Sequence, residues 1–376
     1  MSIFYNMSSI ESNPSEVIGE GSYGCIHKPS LICKDNKKIS YKNKISKLLL
    51  TEYAIRELKE YMLISETDKK NQYFLGIPNL CKIKPSKLAL KAIKKCKRLT
   101  KKHKISEKLI DNYSLLIMND GGIDLEQFGL KCKKLEINNI NQTKIYDFWK
   151  ESGRILNGLL VFQTHNIIHF DLKPQNIVYN EKTNRINFID FGHMRKITDA
   201  ITDANNNSNR LIESAFWNYP FEIQFLNKSK YIETAQLSME GKKEWMYNFL
   251  SDLQNRENSE FVIAYETFME IFTENLSNED RLQIDKQYKY DFYKMLSQQI
   301  LIENYEKNVE KSIKTIDVYG IGLAFKFVLN YTSHLLPKNF TDKMNEICYF
   351  MTTPDLSKRY MIKEIISQQT EALKLL

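Results

Sequence analysis

The stretch "IIHFDLKPQNIVYN", residues 167–180, sets an aspartate, a lysine two residues on and an asparagine five residues on between two short apolar runs. Apolar runs of this length read as strands, and the polar letters between them as a loop. Asp171 can accept a hydroxyl proton or orient that hydroxyl for in-line attack. Lys173 can neutralise charge on a transferred phosphoryl group, and the amide oxygen of Asn176 is a hard ligand suited to Mg2+. Fourteen residues beyond Asn176, in "RINFIDFGHMRK", the triplet Asp190-Phe191-Gly192 offers a second oxygen ligand, Asp190, at a strand-to-loop junction.

Upstream, "SEVIGEGSYGCIHKP" spaces Gly19, Gly21 and Gly24 as G-x-G-x-x-G, with Glu20, Ser22 and Tyr23 between them and Ile26 beyond. Glycines there let a hairpin backbone approach phosphates closely. The strand-like "CIHKP" that follows, in place of a helix, disfavours a dinucleotide fold. On its own the pattern fits a structural turn equally well. In "KISKLL" Lys47 is the cation for the α- and β-phosphates, with Lys44 or Lys42 as substitutes, and Glu57 in "AIRELKEY" orients it, with Glu60 as substitute. A surface lysine and an exposed helical glutamate are the bland alternatives.

The chain has 376 residues, 42% hydrophobic and 27% charged, enough for two domains with cores of their own. No run reaches the roughly 18 apolar residues of a membrane helix. "VYGIGLAFKFVLNY" (318–331) is broken by Lys326 and reads as a buried helix. A basic, apolar signal sequence and a second-position glycine for myristoylation are both missing from the start. Cys25, Cys33, Cys81, Cys96, Cys132 and Cys348 are scattered without a C-x-x-C pair. Neither disulfides nor a zinc site is therefore expected, and reduced thiols in a cytosol-like compartment are the default. The net charge of +8 is concentrated: residues 82–104 hold eleven Lys or Arg and no acid, and taking these from +8 leaves −3.

Helical periodicity in "TEYAIRELKEYMLI" puts Ala54, Leu58, Tyr61 and Met62 on one side. "YSLLIMNDGGIDLEQF" reads as a buried strand stopped by Asp-Gly-Gly, and residues 143–164 as a long amphipathic helix. In the basic segment, Leu88, Ala92 and Cys96 suggest a helix with a lysine-rich outer face. Residues 193–215 read as a polar loop, and 223–316 as a helical, aromatic-rich stretch.

The order glycine loop, strand Lys, helix Glu, H-x-D-x-K-P-x-N and D-F-G resembles the eukaryotic-type protein kinase family, over about residues 17–365. Lys173-Pro174 looks like the serine/threonine branch. "GSYGCI-x-KP", "ISKL" and the Gly-Gly after the hinge strand resemble the divergent kinases of large DNA viruses. The resemblance implies an α+β, bilobal fold, with a small β-rich lobe at 1–119 and a larger helical lobe at 120–376. It further implies ATP, Mg2+ (Mn2+ as a substitute), protein substrates, and a location in the cytoplasm, host cytoplasm or virion if viral.

Within that resemblance Met118 is the gatekeeper beside hinge residues Asn119 and Asp120. "YPFE", ending at Glu222, resembles the A-P-E element, and Arg359 of "PDLSKR" its partner. Asp317 of "DVYGIG" braces the catalytic loop, with His169, Phe191 and Gly192 structural. Phe170 departs from the family, which usually has an arginine there to meet a phosphorylated loop residue. Activity that does not wait for such phosphorylation is expected. Two other readings are a pseudokinase scaffold and a small-molecule kinase of the choline or aminoglycoside type. The basic segment suggests an anionic partner: nucleic acid, an acidic protein or a membrane surface.

Overall fold

The computed structural model describes residues 15–21, 23–35, 39–97, 99, 107–206, 217–255 and 260–376. Two compact units form, Met1–Gly121 and Gly122–Leu376; the division expected from sequence, 119/120, lies two residues earlier. The architecture is α+β, with an antiparallel sheet in the first unit and mostly helices in the second. Among the described residues no helix is long and apolar enough to cross a membrane.

In the first unit β1 (Glu16–Glu20), β2 (Gly24–Lys28), β3 (Lys44–Leu50), β4 (Asn79–Lys82) and β5 (Tyr113–Asn119) form one sheet, ordered β1-β2-β3-β5-β4. The inner strands β3 and β5 are covered on both faces, which is why they read as apolar runs and not as alternation. At Gly24 a Cβ would lie 2.0 Å from the Leu48 carbonyl oxygen, so only glycine lets β2 approach β3 at this point.

Helix α1 (Thr51–Thr67) buries Ala54, Glu57, Tyr61 and Ile64. Met62, expected on that face, is 53% exposed and Glu57 takes the buried position. Helix α2 (Lys87–Lys95) starts at the Ser86 cap and buries Ala89, Ala92 and Ile93. Leu88, expected inside, points out. The cysteine expectation fails in this unit: Cys25 is bonded to Cys96 and Cys33 to Cys81, while Cys132 and Cys348 are free and buried. The partners are 71 and 48 residues apart, so no local spacing announces them. The sheet and the α2 layer bring them together, and the argument for a reducing compartment loses its basis.

In the second unit β6 (Ile123–Asp124), α3 (Leu125–Cys132) and α4 (Asn139–Thr164) lead to β7 (Ile167–Ile168). β8 (Ile177–Asn180) and β9 (Arg185–Phe188) form a hairpin that β6 joins, and β10 (Arg195–Lys196) pairs with β7. Residues 197–205, expected as loop, form α5 (Ile197–Asn205) with Ile197, Ala200 and Ala204 buried. Next come α6 (Lys228–Gln236), α7 (Met239–Asn255), α8 (Glu260–Thr273) and α9 (Asn278–Gln298). The chain ends with α10 (Tyr305–Thr332), α11 (Lys338–Thr352) and α12 (Ile362–Leu373). Among the described residues, aromatic side chains of α7 and α9 (Trp245, Phe249 and Phe292) pack with Phe221 and Phe225, so these helices belong to the core of the unit.

Candidate functional site

Half of the predicted constellation belongs to the first unit. Gly21 N–H donates to the Gly24 carbonyl at 2.9 Å and closes the glycine turn. A Cβ on Gly19 would meet Ile26 at 3.7 Å and one on Gly21 the Gly24 carbonyl at 3.9 Å, ordinary contacts, so packing within the chain does not itself demand glycine at either position. Tyr23 rests its ring on Tyr53 of α1, centroids 4.7 Å apart, and Ile26 pairs with Gly19 and Lys47 across the strands. Ser22 lies outside the described residues.

Of the three candidate lysines, Lys47 reaches Glu57 at 2.8 Å, both side chains buried. Lys44 instead donates to Asn119, and Lys42 is exposed. Half-buried Glu60 is not the carboxylate on Lys47 in that pair. Tyr61 donates to the Met118 sulfur at 3.6 Å, Asn119 donates to the Leu75 carbonyl, and Asp120 pairs with Lys28 at 2.6 Å. Glu20 accepts from the backbone N–H of Lys97 at 3.4 Å.

The second unit carries the loop of residues 169–176, suspended from α10. Asp317 accepts the backbone N–H groups of His169 at 2.7 Å and Phe170 at 2.8 Å. One turn later on the same helix face, a Cβ on Gly320 would come within 2.2 Å of the Leu172 carbonyl oxygen. Glycine therefore lets the loop lie against the helix backbone. Burial raises the Asp317 carboxyl to about 7; the two N–H bonds oppose this and the Asp171 charge reinforces it.

Phe170 has φ +64°, a left-handed conformation rare for a bulky residue, and Asp190 has φ +60°. Such strain costs about 1–3 kcal/mol and gathers at functional sites. The Asp171 carboxylate accepts from Lys173 at 2.9 Å through both oxygens, from Asn176 at 2.8 Å and from Asn218 at 3.2 Å. Asn176 spends its amide donor on the carboxylate and carbonyl of Asp171. Its amide oxygen is the group that remains for a cation.

Ile189 N–H donates to the Asn176 carbonyl at 3.0 Å, which sets Asp190 beside Asn176 at the end of the β8–β9 hairpin. Asp190 and Asn176 both present hard oxygen, the donor type Mg2+ prefers, and Mg2+ needs few protein ligands because it retains water. Among the described residues no cluster of three His, Cys, Asp or Glu side chains is arranged for a metal. Phe191 is buried beside His169, rings 5.1 Å apart, and Gly192 follows with Asp190 Oδ1 3.6 Å from where its Cβ would stand. Burial lowers the fully enclosed His169 to about 4. A carbonyl can only accept, so Nε2 carries the proton toward Ile189 at 3.1 Å.

Glu222 and Arg359, buried and 137 residues apart, form a bidentate ion pair; one arm is 3.0 Å, and Arg359 also donates to the Thr353 carbonyl.

No family model matches the chain, and no curated protein matches it in sequence.

Three neighbours of the loop escaped sequence reasoning. Asn218 donates to Asp171 and, at 3.0 Å, to the Leu172 carbonyl; among the described residues its own amide oxygen meets no donor. The opposite amide orientation would set oxygen against two acceptors, so chemistry fixes the assignment. Tyr219 donates to the Phe170 carbonyl, and Arg195 lies over the Phe170 ring. A polar residue four positions before Glu222 was the only available signal for Asn218. Residues 207–216, within the expected 193–215 loop, lie outside the described residues.

Proposed function

We propose that this chain is a serine/threonine protein kinase, transferring the γ-phosphoryl group of ATP to protein hydroxyls. One observation carries the reading. Asp171, in a loop hung from Asp317, is gripped by Lys173 and Asn176, and Asp190 follows directly on the backbone partner of Asn176.

In this reading Asp171 orients the acceptor hydroxyl and takes its proton. A bond forms from that oxygen to the γ-phosphorus while the bond to the β,γ-bridging oxygen breaks, leaving ADP. Lys173 offsets charge on the transferred group. Asn176 and Asp190 would hold Mg2+, which supplies charge neutralisation at the phosphates when bound. Glycine-loop backbone and Lys47, steadied by Glu57, hold the remaining phosphates. The protein's own contribution is positioning and electrostatics.

The buried Lys47–Glu57 pair supports an enzyme over a scaffold, since scaffolds of this type usually lose one of these groups. The Glu222–Arg359 pair supports a protein kinase over the small-molecule type. The viral affinity is part of the proposal and rests on the motif resemblance alone. The test is ATP turnover with a generic protein acceptor, comparing the unaltered chain with Asp171→Asn and Asp190→Ala. A fall of about a thousandfold in kcat with Asp171→Asn is expected. Near-unaltered turnover in either variant overturns the reading.

A further inference from the structure

Helix α2 presents a face that the kinase reading does not use. At 100° per residue, Lys87, Lys91, Lys94 and Lys95 fall within one arc, opposite the buried Ala89, Ala92 and Ile93. All four lysines are exposed, and among the described residues none is paired with a carboxylate. A hollow of about 460 Å³ opens along them, lined also by Leu90. The helix is fixed at both ends: Ser86 accepts the Ala89 N–H at 3.0 Å, and Cys96, its C-cap, is bonded to Cys25. Four cations thus stand along roughly 12 Å of a helix held at both ends, at the 1.5 Å rise of an α-helix.

We propose that this face binds the phosphodiester backbone of a nucleic-acid duplex, irrespective of base sequence. Three observations favour that occupant over other polyanions. Ala89, Ala92 and Ile93 of α2 are committed to the core and Leu90 packs partly against it, which leaves Leu88 as the one exposed apolar side chain of the helix, too little apolar surface to bury in a bilayer. Its sequence, KLALKAIKK, has no aromatic residue on which unpaired bases could stack. It has no arginine for bidentate reading of base edges either, and lysine acts on phosphates as a point charge. A rigid rod with one cationic stripe complements a regular, rigid array of phosphates better than it does a flexible acidic peptide.

The inference is independent of the catalytic reading. It is tested with the full chain and a fluorescein-labelled 20-base-pair DNA duplex of mixed sequence, by anisotropy between 50 and 200 mM KCl. Four phosphates neutralised give a slope of log K on log salt of about −3.6, a fall of roughly a hundredfold over that range. Lys91→Gln/Lys94→Gln should weaken binding at least about tenfold and reduce the slope by about two. Lys338→Gln/Lys374→Gln removes the same net charge from the second unit and should change the affinity less than about twofold. Equal losses in the two double variants would overturn the assignment to this face. Tighter lysine-dependent binding to phosphatidylserine vesicles or polyglutamate than to the duplex would overturn the choice of partner. Because all four substitutions are at exposed positions, unaltered circular dichroism is expected, so a loss of binding reads out contact and not folding.

Discussion

The guanidinium of Arg195 stands 4.6 Å from the centre of the Phe170 ring, within cation–π range, and its Nη1 lies 3.7 Å from Asp203 on α5. Phe170 thus offers the segment after Asp190 an aromatic face where the resembled family offers a cation for a phosphate. The segment starting at β10 is anchored by side chains already present in the unmodified chain.

On the kinase proposal, phosphatase treatment should therefore leave phosphotransfer by the purified chain within about twofold. Loss of activity on that treatment, restored by a phosphate within residues 193–215, would refute this. Phe170→Arg would set a second guanidinium against Arg195 in a fully buried position, and should cost at least about 3 kcal/mol in urea unfolding.

Asn218→Ala removes a donor to the Asp171 carboxylate and a bond to the Leu172 carbonyl. A hydrogen bond to a charged group contributes about 1.5–3 kcal/mol, so kcat should fall ten- to hundredfold. The KM for ATP should move far less. Steady-state kinetics with a saturating protein acceptor would show the split.

Glu57→Gln keeps the shape of the side chain but removes the charge facing Lys47. With about 1.5–3 kcal/mol at stake, kcat/KM for ATP should fall by a factor of ten to a hundred. An ATP titration of initial rates is sufficient to measure it.

His169 makes a pH prediction. Its folded pKa, about 4, lies below the ordinary 6.5, so the unfolded chain binds the extra proton first. This contribution to stability is complete above pH 6.5 and is lost as the pH falls toward about 4, by roughly 3 kcal/mol. Asp317, raised to about 7 by burial, acts in the opposite sense: its contribution is complete below the ordinary carboxylate range and is lost as the pH rises through 7. The two offset each other in the unaltered chain. His169→Phe removes one side, and its urea midpoint should rise, relative to the unaltered chain, between pH 7 and pH 5.

The mutual contacts of Asp171, Lys173 and Asn176 were legible because the loop of residues 169–176 holds them within eight consecutive residues, where spacing alone carries information. The partner of Lys47 was also legible, since a strand followed by a helix limits the choices to Glu57 or Glu60. The disulfides were not, because Cys25 and Cys96 meet only through the packing of α2 on the sheet. Helix α5 hid beside an Asn-rich C-terminal flank: Ile197, Ala200 and Ala204 give it a narrow apolar stripe that reads as loop composition. Leu88 and Met62 were placed inside by periodicity, yet the sheet covers a slightly rotated face of each helix. Asn218 had no pattern of its own, because its role depends on contacts 46 and 47 residues away.

The Glu222–Arg359 clasp has a consequence for how such a chain can change. It fastens together the two ends of a 137-residue span in which α6 to α11 are packed. The entropy of closing so long a span grows only slowly with further length. Segments can thus be added at exposed turns inside the clasp while its two ends stay together, leaving room for new surfaces.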